Sequence, residues 1–135
     1  MESKQRYTFK KDERLKSRKQ IEHLFNDGQR FSVSLFRIFY SLQNNPASIN
    51  QSLQAGFGAS SRNFKTAVDR NRIKRLIKEA WRLQKNSLHD HLHEEKKKLS
   101  VFILYMGKDI PEYELVFEKI GIIINRLIKF TDAKS

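Results

Sequence analysis

Cysteine is missing from this sequence altogether. Its absence excludes disulfides, thiolate zinc sites and cysteine nucleophiles, and it is typical of proteins that work in a reducing cytoplasm. Long apolar runs are missing too, since no stretch reaches the roughly 18 consecutive apolar residues of a membrane-spanning helix. The polar N-terminus has no apolar segment after its charges and therefore does not resemble a secretory signal. These absences predict a soluble cytoplasmic protein without a membrane partner.

Acidic residues are scarce relative to basic ones. The 135 residues include 27 Lys and Arg against 15 Asp and Glu, so the formal net charge is +12. Such an excess favours fast, salt-sensitive association with a polyanion, for which nucleic acid and an anionic membrane surface are the two candidates. The length suits one domain. We predict a single domain over residues 1–135, with a poorly ordered basic arm at 1–16 and a polar tail at 131–135.

Apolar spacing predicts a helix near each end of the chain. Ser17 can cap a first helix that runs to about Asn26, and Gly28 can end it in the left-handed conformation. Pro111 suits the first turn of the last helix. Eight residues would form the buried stripe of that last helix: Tyr113, Val116, Phe117, Ile120, Ile123, Ile124, Leu127 and Ile128.

Three segments have the composition of strands. Residues 35–42 are rich in aromatic and branched side chains, and residues 53–60 alternate between larger and smaller ones. Residues 99–106 are almost entirely apolar, which predicts a central strand buried on both faces. Residues 43–51 are predicted to be a loop. One face of the strand at 53–60 has only small or polar side chains, which leaves room for another group to approach the backbone: Gln54, Gly56, Gly58 and Ser60.

The most informative segment begins at Asp69, which can cap a helix that reaches at least Lys85. The pattern leaves open whether residues 86–98 continue this helix. At about 100° per residue, its apolar residues share one side: Ile73, Leu76, Ile77, Ala80 and Trp81. Four polar residues stack opposite them and two further cations flank the stack: Asn71, Arg75, Lys78 and Arg82, with Arg72 and Lys74. Such a stripe fits phosphate oxygens, although an ordinary solvated helix face is the alternative.

Signals for catalysis are weak. His89 and His93 have the i, i+4 spacing that metal ligands use, but no third ligand or catalytic base is evident beside them, so a solvated helix end is favoured. Gly56 and Gly58 alone do not make a nucleotide-binding motif. Two other functions stay open at this point: a structural RNA-binding protein of ribosomal type, and a membrane-surface protein whose helix at 112–130 would expose its apolar face.

Residues 64–78 carry a specific resemblance. The sequence FKTAVDRNRIKRLIK resembles, at fifteen consecutive positions, the signature of the bacterial ribonuclease P protein family that is called the RNR motif. The resemblance extends from about Arg14 to Phe130. One departure lies before the motif, where the family commonly has Lys-Lys-x-Gly and this chain has residues 62–65, RNFK. Lys65 thus replaces the family glycine.

The resemblance implies an α+β fold. Its members are two-layer α/β sandwiches of the ribosomal protein S5 domain 2-like type, with about four strands in a central sheet and three helices. In this chain a left-handed crossover would run from the strand at 53–60, through the helix of the RNR motif, to the strand at 100–106. That hand is rare for parallel βαβ units.

The resemblance also implies a function. Members of the family are RNA-binding protein subunits of an endoribonuclease that removes the 5′ leader from precursor tRNA, and the RNA subunit performs the Mg²⁺-assisted hydrolysis. The chain would then contain no catalytic residue and no metal site of its own, and would pair 1:1 with the ribonuclease P RNA, with self-association left open. Contacts to the RNA subunit are implied for Arg62, Lys65, Arg70, Asn71, Arg72, Lys74, Arg75, Lys78 and Arg82. Contacts to the leader of the precursor tRNA are implied for Arg14, Lys16, Phe25, Arg37 and Phe39, with a core position as the alternative for the two phenylalanines.

Overall fold

A four-stranded mixed sheet organises the part of the chain that the computed structural model describes, which is Phe9 and residues 11–44 and 52–132. Its strands are β1 (Gln29–Val33), β2 (Phe36–Asn44), β3 (Leu53–Ala59) and β4 (Lys97–Tyr105), in the spatial order β1-β2-β4-β3. The helices are α1 (Arg18–Asp27), α2 (Ala67–Gln84), α3 (Asn86–Glu95) and α4 (Tyr113–Thr131), and a 3₁₀ turn spans Lys11–Glu13. Within this part no helix is long and apolar enough to cross a bilayer.

The central position predicted for the apolar strand is confirmed. β4 pairs antiparallel with β2, where Ile103 lies opposite Ile38, and parallel with β3, where Ile103 lies opposite Phe57. Since β3 and β4 are parallel neighbours, α2 and α3 form the crossover between them. The left hand of this crossover stays a prediction.

The main core lies between the sheet and the pair of helices α2 and α4. Val101 and Ile103 of β4 are fully buried there, as is Trp81 of α2. Each such apolar side chain contributes about 1.5–3 kcal/mol by leaving water. The stripe predicted for α4 is confirmed in its centre, whereas Phe117 at its edge is 38% exposed. A two-layer α+β sandwich is thus what the chain forms.

The opposite face of the sheet is only partly covered. α1 lies across it, and its Leu24 makes a small second cluster with Leu15 and Phe39. Phe102 and Leu104 of β4 pack against this cluster and stay half-buried. The prediction that this strand is fully buried on both faces is therefore wrong, because a single ten-residue helix does not cover the whole width of the sheet.

The helical segment after β3 differs from the prediction at both ends. The cap is Thr66, whose Oγ1 accepts a hydrogen bond from the backbone N–H of Asp69 at 3.3 Å. Asp69 lies instead within the first turn, where its negative charge is favourable to the helix dipole. The helix ends at Gln84, and a separate helix follows from Asn86 to Glu95, after which Lys96 takes the left-handed conformation (φ 55°). The protein accordingly has four α-helices in its described part rather than three.

Two predicted helix-end roles are also wrong. Ser17 does cap α1, as predicted, but Gly28 after it has an extended backbone with φ −75°. A Cβ at Gly28 would lie 2.6 Å from the carbonyl oxygen of Leu24, so close packing and not conformation requires glycine there. Pro111 precedes Glu112, the N-cap residue of α4, and thus lies outside the first turn, which begins at Tyr113.

Strand β1 was not predicted at all. Its sequence, QRFSV, mixes polar and apolar residues without a clear alternation. It forms a hairpin with β2 through the two-residue turn Ser34-Leu35, in which Ser34 takes φ 54° without the glycine that usually marks such turns. The predicted loop at 43–51 lies largely outside the described residues.

The predicted N-terminal arm is packed against the sheet over its described part, Phe9 and residues 11–16, which we call the N-terminal strap. Phe9 and Leu15 are buried, and Arg14 forms a parallel bridge with Ala55 on the outer edge of β3. The backbone N–H of Leu15 donates to the carbonyl oxygen of Ala55 at 2.9 Å. The strap thereby covers part of an edge strand that would otherwise leave its polar backbone groups unpaired. The remainder of the predicted arm, residues 1–8 and 10, and the tail at 133–135 lie outside the described residues.

Candidate RNA-binding surfaces

Helix α2 separates its residues as the helical spacing predicts. Ile73, Ile77, Ala80 and Trp81 are buried against the sheet and α4. Asn71, Arg72, Lys74 and Arg75 are exposed, while Lys78 and Arg82 are half-buried along the same outer surface. The helix therefore presents a row of cations to solvent on a rigid base.

Two arginines of this helix already have partners within the protein. Arg70 donates from Nη1 to the carbonyl oxygen of Phe64 at 2.7 Å and so braces the turn that leads into α2. Arg82 donates to both carboxylate oxygens of Glu79, at 3.0 and 2.6 Å. These hydrogen bonds lower the pKa of the Glu79 carboxyl. Because exposed ion pairs are weak, Arg82 can exchange this partner for a phosphate at small cost.

The loop before α2 is held by residues that the sequence did not single out. Asn63 donates from Nδ2 to the carbonyl oxygens of Met106 and Gly107, at 3.0 and 3.1 Å. Phe64 is buried against Tyr105, with ring centroids 6.1 Å apart. The positive-φ residues of the described chain are Ser34 and Lys96, so Lys65 adopts an ordinary backbone conformation and replaces the family glycine without strain. Lys65 and its neighbour Arg62 both project into solvent.

A groove of about 360 Å³ lies between the N-terminal strap and α2, and we call it the strap groove. Two cations flank the ring of Phe9 at its base, with the Arg14 guanidinium carbon and Lys78 Nζ at 5.8 and 5.9 Å from the ring centroid. Its polar and charged lining comes from the strap and from α2: Arg14, Lys16, Asn71, Lys74, Arg75 and Lys78. The structure thus brings two predicted leader contacts, Arg14 and Lys16, beside the predicted contacts to the RNA subunit.

A wider cleft of about 590 Å³ runs across the uncovered part of the sheet, between α1 and α2, and we call it the sheet cleft. Phe25 of α1 lines one side, and Arg70 and Lys74 of α2 line the other. Its floor comes from β3 and β4: Gly56, Gly58, Phe102 and Leu104. An apolar floor between an aromatic wall and a basic wall suits an unpaired strand, whose bases stack on aromatic rings while its phosphates meet cations.

The two predicted leader-binding phenylalanines are in contact but differ in exposure. Their ring centroids are 4.7 Å apart, yet Phe25 is half-buried and Phe39 is 6% exposed, beneath α1. Phe25 also makes an edge-to-face contact with Phe102 at 5.2 Å. Arg37 lies on the same face of the sheet and is exposed, opposite Leu104. Phe102 also lines the cleft, although nothing in the sequence marked it as a binding residue. It lies in the apolar strand β4, directly opposite Gly56 of β3.

The glycines of β3 leave room for the side chain of Phe102 from the neighbouring strand. A Cβ at Gly56 would lie 2.8 Å from Cδ2 of Phe102, and one at Gly58 would lie 3.1 Å from its Cζ. Part of the space above β3 is therefore taken by the Phe102 ring, and the ring and the two glycines together form the floor of the cleft.

The histidines near residue 90 form no such surface. His89 lies 3.8 Å from the carboxylate of its neighbour Asp90 and is partly exposed. Across the described residues, no group of three or more His, Asp or Glu side chains is arranged to hold a metal ion.

Comparisons with known proteins place this chain in a family. The family model described as Ribonuclease P matches residues 9–126. The ribonuclease P protein component of Porphyromonas gingivalis is 31% identical over 116 residues, which cover 86% of this chain and 83% of that protein. The ribonuclease P protein component of Chlorobium phaeobacteroides is 29% identical over 128 residues, which cover 89% of this chain and 88% of that protein.

Solved structures have the same fold. The RNase P protein of Staphylococcus aureus matches with a TM-score of 0.64 at 16% identity, covering 84% of this chain and 94% of that one. The RNase P protein of Thermotoga maritima matches with a TM-score of 0.61 at 19% identity, covering 84% and 96%. The family model spans the strap, α2 and the residues that line the strap groove and the sheet cleft. The chain therefore belongs to the ribonuclease P protein family.

Proposed function

We propose that this chain is the protein subunit of a ribonuclease P, which with its catalytic RNA removes the 5′ leader from precursor tRNA. The observation that carries the proposal is the exposed cationic face of α2 in a member of this family. A structural RNA-binding protein of ribosomal type would share such a face. The family membership is what favours the ribonuclease P subunit.

The outer face of α2 is the proposed contact to the RNA subunit. Arginine forks bind phosphate oxygens in pairs, and Asn71 offers an amide at the start of the same row. Each phosphate that a cation neutralises releases counterions, so this contact should weaken steeply with salt. Arg62 and Lys65 would extend the contact along the loop before the helix.

The sheet cleft is the proposed site of the single-stranded leader. Phe25 and Phe102 offer aromatic surface for unpaired bases, and Arg37 adds a cation on the same face of the sheet. Phe39 lies beneath Phe25 and would position it rather than contact the RNA. Lys74 lines both the cleft and the strap groove, so an RNA strand can pass from one to the other.

Catalysis is assigned to the RNA subunit. Mg²⁺ prefers oxygen ligands such as carboxylates, whereas the cleft and the strap groove are lined by cations, amides, hydroxyls and apolar side chains. The linings of these two sites therefore do not suit Mg²⁺, and we propose that the RNA and its substrate hold the ion that assists hydrolysis. The protein would contribute by binding the leader and by reducing repulsion between the two RNAs, in a 1:1 complex with the RNA subunit.

Cleavage of precursor tRNA at low Mg²⁺ tests the proposal. A bacterial ribonuclease P RNA should cut at the mature 5′ end only when this protein is added. If the protein binds RNA with salt-sensitive affinity but leaves cleavage unchanged, it is a structural RNA-binding protein. If the protein cuts without the RNA, catalysis has been assigned to the wrong subunit.

A further inference from the structure

A buried ion pair anchors the N-terminal strap. Glu13 Oε1 lies 2.7 Å from Lys85 Nζ, and the two residues are only 8% and 4% exposed. Lys85 is the junction between α2 and α3, so the pair ties the strap to the far end of the RNR helix. Burying two charges is costly, and a buried pair that serves no purpose beyond stability is readily replaced by apolar residues. The position in which the pair fixes the strap is therefore its expected contribution.

The strap has an inward and an outward side. The side chains of Glu13 and Leu15 face inward and are buried, and the backbone N–H of Leu15 donates to Ala55 of β3. Phe9 packs on Phe57 of the same strand, with ring centroids 5.6 Å apart. Arg14 and Lys16 alternate with these anchors and are exposed. Fixing the inward residues therefore determines where the two outward cations lie.

Those two cations complete the strap groove. Across from them stand Asn71, Lys74, Arg75 and Lys78 of α2. Without a docked strap, α2 would be a single convex row of cations. With the strap in place, the same cations form one wall of a two-walled groove that follows the helix, and a phosphate backbone in it meets positive charge on both sides.

We infer that the Glu13–Lys85 pair is a latch that holds the strap in place, so that Arg14 and Lys16 join α2 in one groove for the phosphate backbone of the RNA subunit. The inference rests on the proposed function and reassigns these two cations from the leader to the RNA subunit. Glu13 is a positioning residue, since it is buried, does not line the groove and acts through the strap.

The latch and net charge alone predict opposite changes in RNA affinity for one substitution, Glu13→Gln. Glu13→Gln removes a negative charge, so the net charge of the chain rises above +12 and a polyanion should bind more tightly on charge alone. The latch predicts the opposite, because Lys85 loses its counter-charge and the strap no longer holds its two cations in place. Trypsin should also cut the strap of the variant faster than that of the parent protein.

Binding of the intact protein to ribonuclease P RNA, without tRNA, should be measured across a salt series. We expect Glu13→Gln to weaken binding about tenfold and to reduce the log–log salt slope by about 1.4–1.8, the loss of two phosphate contacts. Arg14→Ala/Lys16→Ala should give the same loss, and adding it to Glu13→Gln should give little more. The matched control is Glu118→Gln, an exposed carboxylate on α4, which should not weaken binding.

Several results would overturn the inference. One is that Glu13→Gln binds ribonuclease P RNA as tightly as Glu118→Gln does. Another is that the loss of RNA affinity in Glu13→Gln adds fully to the loss in Arg14→Ala/Lys16→Ala. If Glu13→Gln does not fold by circular dichroism, Arg14→Ala/Lys16→Ala decides alone, since both residues are exposed and unchanged RNA binding would refute the groove. If the strap variants bind ribonuclease P RNA normally but the assembled enzyme binds precursor tRNA more weakly, Arg14 and Lys16 contact the leader instead. Arg72→Ala/Arg75→Ala separates the two proposals. If this double variant loses affinity for ribonuclease P RNA while the strap variants keep theirs, only the latch is refuted.

Discussion

At the scale of single residues, exposure separates two aromatic side chains that the sequence could not distinguish. Phe25 and Phe39 are in contact, and the family resemblance implied leader binding for both. Phe39 is closed off by Leu24 and Leu15, whereas Phe25 lines the sheet cleft. A contact to RNA is therefore open to Phe25, and the task of Phe39 is to support it.

Two alanine substitutions test this division. Phe39→Ala should lower the free energy of unfolding by about 3–5 kcal/mol, because it empties a buried site, and thermal unfolding will show it. Phe25→Ala should reduce the affinity of the assembled enzyme for precursor tRNA more than for mature tRNA, with a smaller loss of stability. Phe117→Ala, a partly exposed aromatic on α4, is the control and should change neither affinity. Equal losses for both tRNAs with Phe25→Ala would exclude it from the leader site.

At the scale of elements, α2 combines a buried and a charged face on one rigid body. Arg72→Ala/Arg75→Ala should weaken binding to the RNA subunit and flatten its salt dependence by about 1.4–1.8 log units per log unit. The melting temperature should change little, since both side chains are exposed. Lys108→Ala/Lys129→Ala removes two exposed lysines outside α2 and should leave binding nearly unchanged. Equal effects of the two double variants would mean that only net charge matters.

The same elements show what local sequence can predict. The faces of α2 followed from residue spacing, because a helix repeats every 3.6 residues whatever surrounds it. The break between α2 and α3 did not; it lies at Lys85, whose ammonium pairs with Glu13, a residue distant in sequence. The strap was missed for a related reason: its order comes from an edge contact to Ala55, which leaves no periodic pattern. The resemblance implied leader contacts for Phe25 and Arg37, but the floor of the sheet cleft, with Phe102 over Gly56, depended on strand register.

At the scale of the whole molecule, charge and fold act together. The net charge of +12 should make RNA binding fall by roughly 10³-fold or more between 50 and 200 mM salt if six or more phosphates are contacted. Filter binding at fixed Mg²⁺ measures this directly. The apolar face of α4 is buried in the core, so vesicles of neutral lipid should not bind the protein. Binding to such vesicles would contradict the assignment of that helix to the core.

The central place of β4 also governs when the chain can fold. β4 is made after β1, β2 and β3, yet it is the strand that joins the β1–β2 hairpin to β3. Until residue 105 is available, the hairpin and β3 have no partner in common, and their apolar faces stay open to other chains. Pairings so distant in sequence form slowly. A nascent chain that stops before β4 is thus an aggregation hazard rather than a partly working subunit, and folding must wait for the last third of synthesis.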